Sequence, residues 1–206
     1  MISLLLLRHA ESSSIVQEED SLILDDETNV LTDAGRIASV ELGELLRTNF
    51  GSIIVHSSPS SRAYETAKNI SDGAENILLD ERLRERAFNF PLTTPTGESR
   101  KYQMQSHMHP HERILGGESI ADHRIRVGDW FREFESKLAE EHVYAVVTHG
   151  GTLDQLLAII FESPINAMSR YHVACEPARF HLLKRYHVSP EAYVWRLDCI
   201  NACEIG

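Results

Sequence analysis

The feature that most constrains the fold is a set of three short aliphatic runs, at 2–7, 52–56 and 143–148. A strand with one wet face alternates apolar and polar residues, whereas a strand covered on both faces is apolar almost throughout. These runs are of the second kind. Those at 52–56 and 143–148 each lead into Ser, Gly or Pro and then into a helical pattern. Strand, polar turn and helix make the repeating unit of a parallel sheet. At 206 residues the chain suits one core. The expected fold is therefore a single α/β domain of three layers, with helices on both faces of a mainly parallel sheet.

The helices can be placed from their caps and stripes. Thr32 is a suitable N-cap for a helix carrying Ala38, Leu42, Leu45 and Leu46, and Gly51 follows its end. Pro59 stands where a first helical turn accepts proline, ahead of Ala63, Ala67 and Ile70. Behind Gly116 and Gly117, a long amphipathic helix sets Ile120, Val127, Trp130, Phe131, Phe134 and Leu138 on one stripe. Another helix begins after Gly150 and Gly151 and carries Leu153, Leu156, Leu157 and Ile160. The segments 178–184 and 193–198 read as strands. Two regions read as loops: 11–31, with its acidic clusters at 18–20 and 25–27, and 87–117, which holds three prolines, three glycines and no single periodicity.

Charge and cysteine content narrow the function classes. Twenty Lys and Arg against 31 Asp and Glu give a formal net charge of -11, which argues against nucleic acid or an anionic membrane as partner. The three cysteines, Cys175, Cys199 and Cys203, include no CxxC pair, as suits a reducing compartment. No stretch approaches the roughly 18 apolar residues of a membrane span, and the run at 2–7 lacks the flanks of a signal peptide. The expected location is the cytoplasm.

Ligands of open α/β sheets bind at the carboxyl ends of the strands. Arg8 and His9 end the first run; Ser57, Ser58 and Arg62 follow the second; His149 and Gly150 follow the third. Two arginines and two histidines thus converge beside helix N-termini, which themselves favour anions. Such a site suits a phosphate. The stretches LLLRHAES (5–12), SSPSSRAYETA (57–67), LRE (83–85), GGES (116–119) and VTHGG (147–151) occur in the order of the motifs of the histidine phosphatase superfamily. The chain resembles that family, whose fold is the phosphoglycerate mutase-like fold, over most of its length.

The resemblance implies a mechanism. His9 would be the nucleophile that forms a phosphohistidine, since imidazole can be uncharged at neutral pH and its cationic neighbours disfavour protonation. Arg8 and Arg62 would hold the non-bridging oxygens, with His149 as a further donor and the Gly150 amide and Ser12 as additional contacts. Glu85, in the LRE motif, would be the proton donor to the leaving group, in preference to Asp80 or Glu81. To donate, it has to stay protonated beside cationic neighbours, so the segment after it is expected to exclude water. The arginines and histidines supply the charge neutralisation that Mg²⁺ gives elsewhere, so no metal and no cofactor are expected.

The implied activity is a metal-independent phosphomonoesterase, with a small phosphate monoester or inorganic phosphate as ligand. The alternatives are a phosphoglycerate mutase, a phosphohistidine protein phosphatase and a non-catalytic phosphate-binding regulatory module. Against the mutase, Ser14 and Ile15 stand where that branch has a Trp-Asn pair. The domain would span 1–206, with a lid or insert around 87–117 in which Arg100, Lys101, His107, His109 and His111 are candidate substrate contacts. His123 reads as a packed histidine, Arg126 as a structural ion pair, and Glu118 as either a motif residue or a helix-start carboxylate.

Overall fold

The computed structural model describes residues 1–14, 28–71, 74–166, 173–189 and 191–204. Its strands are β1 (Ile2–Arg8), β2 (Ile54–Ser57), β3 (Ile77–Leu79), β4 (Val143–Thr148), β5 (Phe180–Ser189) and β6 (Ala192–Ala202). Its α-helices are α1 (Asp33–Phe50), α2 (Ser61–Ile70), α3 (Thr96–Met108), α4 (Ile120–Ser136) and α5 (Gly150–Ile160). The strands form one sheet in the order β3-β2-β4-β1-β5-β6. β1, β2, β3 and β4 pair in parallel, whereas β5 and β6 add antiparallel to the edge next to β1.

The continuous run in β1 follows from its central place. Leu5 and Leu7 face a core shared with Leu42 and Leu46 of α1 and Ala63, Ala67 and Ile70 of α2. Ile2, Leu4 and Leu6 face the opposite core, with Val127, Trp130, Phe131 and Phe134 of α4 and Leu153, Leu156 and Leu157 of α5. Successive side chains in a strand point to opposite faces, so a strand with a core on each side is apolar on both. Helices cover both faces, giving the three layers.

The helix ends explain the local readings. Thr32 accepts a bond from the Gly35 amide at 3.0 Å and caps α1. At the other end Gly51 takes a φ of 71°, a left-handed conformation that favours glycine, and its amide reaches Arg47 O. A methyl at Gly43 would lie 2.0 Å from Asn69 O, so α1 and α2 cross there backbone to backbone. Ser119 and Asp122 form a reciprocal capping box at the start of α4.

Several expectations need correction. Pro59 lies ahead of α2, not in its first turn: Ser58 Oγ accepts from the Ser60 amide at 3.3 Å, which prolongs the turn and delays the helix to Ser61. Leu138 packs against the core from beyond the end of α4. The short edge strand β3 was not foreseen. Most of all, 87–117 is not only loop, because it contains the helix α3. The acidic clusters at 18–20 and 25–27 lie outside the described residues.

Candidate active site

Parallel pairing sets Arg8 opposite Thr148, so the ends of β1 and β4 deliver Arg8, His9 and His149 to the same rim. The His9 amide donates to Thr148 O at 2.9 Å and continues this register by one residue. The His9 and His149 rings meet edge to face, with centroids 5.2 Å apart. Arg62 comes from the first turn of α2, and its Nη2 is 3.2 Å from His149 Nδ1. All three of His9, Arg62 and His149 are buried.

The hydrogen bonds define which ring atoms carry protons. His9 Nδ1 lies 2.8 Å from Ala10 O. A carbonyl can only accept, so the proton sits on Nδ1 and Nε2 is the basic nitrogen of the neutral ring. In His149 the pattern is reversed. Arg62 can only donate, so His149 Nδ1 accepts and its Nε2 donates to Ser58 Oγ at 2.9 Å. Burial first, and then the neighbouring His9 ring and Arg62 guanidinium, which disfavour a further positive charge, push the His149 pKa well below the usual histidine range. His149 was expected to donate to phosphate. In this arrangement its proton goes to Ser58, and the ring orients Arg62.

Glu85 is fixed from both sides. Its Oε2 accepts from the Gly151 amide and its Oε1 from the Arg86 amide, each at 2.9 Å. A methyl on Gly151 would stand 2.5 Å from Oε1, so the first turn of α5 admits this carboxylate only because residue 151 has no side chain. The chain around Glu85 is tied down through its carbonyls. Thr148 Oγ1 donates to Leu83 O, Thr152 Oγ1 donates to Arg84 O, and Arg126 donates to the carbonyls of Arg82, Arg84 and Glu85. Glu118 in turn holds Arg126 through two bonds of 2.8 and 2.7 Å. Arg126 is thus in an ion pair, and its partner Glu118 belongs to the scaffold of Glu85. Asp80 and Glu81 pair with Arg82 and Arg84 and do not line the cavity.

These groups open onto a cavity of about 580 Å³, within the range of small-molecule sites. Arg8, His9, Arg62, Glu85, His149 and Gly150 line it; Ser12 does not. Ser12 is fully buried in a segment bridged antiparallel to Leu31, and Ser14 and Asn29 take the wall instead. Gly150 opens α5 beside the Arg8 guanidinium, and amides in a first helical turn lack an intrahelical acceptor. Of the candidate contacts in 87–117, Arg100 and His107 reach the wall, whereas Lys101, His109 and His111 do not. His123 is 2 % exposed yet also lines the cavity, with Nε2 3.1 Å from Thr152 Oγ1.

Sequence reasoning missed Arg86, Asp154 and Gln155, which are buried and line the same cavity. A signal for the last two existed: they are polar residues inside the apolar pattern of α5. Arg86 had none beyond its place next to Glu85.

Comparison with known proteins decides the family. The sequence model of the histidine phosphatase superfamily, branch 1, matches residues 4–198. The chain belongs to this superfamily. Among relatives of this histidine phosphatase, the 5''-phosphoribostamycin phosphatase of Niallia circulans is 26% identical over 207 residues, covering 96% of this chain and 95% of its own. A mycobacterial glucosyl-3-phosphoglycerate phosphatase, solved with VO3, superposes with a TM-score of 0.78 at 24% identity, covering 97% of this chain and 99% of that one. The alpha-ribazole phosphatase of Shigella flexneri superposes with a TM-score of 0.74 at 20% identity, covering 99% and 98%. The fold is that of these phosphatases.

Proposed function

We propose that this histidine phosphatase is a metal-independent phosphomonoesterase of small phosphorylated metabolites, working in the cytoplasm through a phosphohistidine at His9. The observation that carries the reading is the bond from His9 Nδ1 to Ala10 O, which assigns the lone pair of the neutral ring to Nε2 in a pocket shared with Arg8 and Arg62. The cysteines in the described residues are free thiols, in keeping with a reducing compartment. No helix among the described residues is long and apolar enough to cross a membrane. The relatives named above are phosphatases of small phosphorylated compounds by their names.

The steps follow from the geometry. His9 Nε2 attacks phosphorus while the ester P–O bond breaks, and Arg8 and Arg62 neutralise the non-bridging oxygens. Each Glu85 oxygen accepts one amide and has a second lone-pair position, on which a proton can sit without loss of either bond. That proton passes to the departing alkoxide. Glu85 then takes a proton from the water that attacks the phosphohistidine, which releases inorganic phosphate and restores His9. The whole chain serves as one catalytic domain, with 87–117 over the leaving-group side.

The test is phosphate release from a panel of phosphate monoesters with EDTA present, wild type against His9→Ala. Turnover should persist in EDTA and fall at least about 10³-fold in the variant. Strict dependence on added metal, or an active His9→Ala protein, would refute the proposal.

A further inference from the structure

Arg86 is 9% exposed and lines the cavity next to Glu85. Its Nη2 donates to Ser106 Oγ of α3 at 2.7 Å, and its guanidinium lies over the Phe88 ring at 4.2 Å. Ser106 Oγ itself donates to Gln103 O, so it has an acceptor position free for the arginine and no more to offer. The other N–H groups of Arg86 have no protein acceptor among the described residues, and no carboxylate lies within ion-pair distance. Glu85 and Glu118 are the nearest negative charges, and Glu118 is already committed to Arg126. Asp154 lies on the side of Cys175, whose carbonyl accepts from Arg8.

A buried cation without a counter-ion is costly, and proteins seldom keep one unless something pairs with it. The function described so far gives Arg86 no partner. Arg8 and Arg62 belong to the strand-end pocket, whereas Arg86 faces α3, on the side that the leaving group must occupy.

We propose that Arg86 forms an anion subsite for the leaving group, so that the substrates are phosphate monoesters carrying a carboxylate. This rests on the phosphomonoesterase reading above. One guanidinium matches one negative charge, and its planar edge, with a face stacked on Phe88, presents paired donors of the spacing a carboxylate takes. Arg100, on the adjacent wall of α3, adds positive potential at the same end.

The experiment compares matched esters: phosphoglycolate against ethyl phosphate, and O-phosphoserine against O-phosphoethanolamine. Wild type should favour the carboxylated member roughly 10- to 100-fold in kcat/KM, the worth of a charge-assisted hydrogen bond. Arg86→Gln should collapse that ratio, and Arg86→Lys, which keeps the charge, should restore part of it. No preference in wild type, or equal losses on both members in Arg86→Gln, would overturn the subsite. Calorimetric binding of the same pairs to His9→Ala separates the two proposals. A carboxylate preference in binding without turnover by wild type supports the subsite and overturns the phosphatase reading; turnover without preference does the reverse.

Discussion

Replacing Gly151 with alanine isolates the position of Glu85 from its charge. The added methyl would lie 2.5 Å from Oε1, 3.1 Å from Cδ and 3.2 Å from Oε2, where ordinary contact begins near 3.4 Å. The carboxylate is the free end of a flexible side chain, so it yields before the backbone does, by roughly 1 Å, and proton transfer misaligned by that much loses about 10²-fold. In free energy this is about 2.7 kcal/mol of transition-state stabilisation. The fold should not suffer, because alanine is a better helix residue than glycine by up to about 1 kcal/mol. Inhibition by inorganic phosphate should keep its strength, since the methyl leaves Arg62 and His9 untouched.

The assay is kcat for two esters with opposite needs. An alkyl phosphate expels a strongly basic alkoxide and depends on the proton from Glu85; p-nitrophenyl phosphate expels a phenolate that leaves unaided. Gly151→Ala should therefore slow the alkyl ester far more than the aryl ester, and Glu85→Gln should show the same asymmetry. If both esters slow equally, or if Gly151→Ala retains wild-type kcat on the alkyl ester at unchanged Tm, then Glu85 is not the proton donor and the argument fails.

Two further outcomes follow from the same contacts. Arg126→Met removes the cation that Glu118 pairs with and one donor from each of three carbonyls around Glu85, in a pair 23% and 16% exposed, and should cost about 2 kcal/mol, or roughly 4–8 °C in Tm for a chain of this size. Arg113→Ala, which breaks a largely exposed pair with Asp122, should barely move Tm in the same scan. Acid should also destabilise the fold through its buried histidines. Burial holds His56 and His181 at about 4 and pushes His123 and His149 well below the usual 6.5. Between those values the unfolded chain binds protons that the folded chain refuses, so stability falls as pH falls, by up to about 1.4 kcal/mol per pH unit for each such histidine. Urea midpoints at about pH 7.5, 6 and 5 should decline in that order, and a flat series would contradict the neutral assignments.

The sequence was legible wherever burial and function share one strand. The run ending in Arg8 and His9 marks a strand with a core on each face, and because the strands are parallel, their carboxyl ends bring Arg8, His9, Arg62 and His149 together. Thr32 and Gly51 are caps whose chemistry is local, and the helix between them begins and ends as read. Glu85 was found through its motif, but its setting was not, because that depends on the absence of a side chain at Gly151, some 66 positions away. The place of Ser12 was hidden for a similar reason: it is buried in a segment bridged to Leu31, a pairing across the chain that no periodicity announces.

The helix α3 was hidden because its pattern is inverted. Its inner residues Thr96, Ser99 and Ser106 are buried and polar, whereas Met104 and Met108 are exposed. A stripe argument assumes that a helix buries apolar residues against a core, but α3 lines the cavity and turns polar residues inward. The same inversion explains why the two halves of the site differ in what a sequence can disclose. The phosphate half is welded to the sheet: Arg8 shares β1 with Leu5 and Leu7, so its place is bound to the packing of the core. The other wall is formed by Arg100, Gln103 and His107 of α3, a helix that lies outside the strand register placing Arg8 and His9. If Arg86 holds the leaving group as proposed, substitutions on the α3 face should alter which ester is accepted at little cost to the sheet, so the phosphate chemistry is readable from the strands while the choice of ester turns on Arg86 and what its remaining N–H groups can bind.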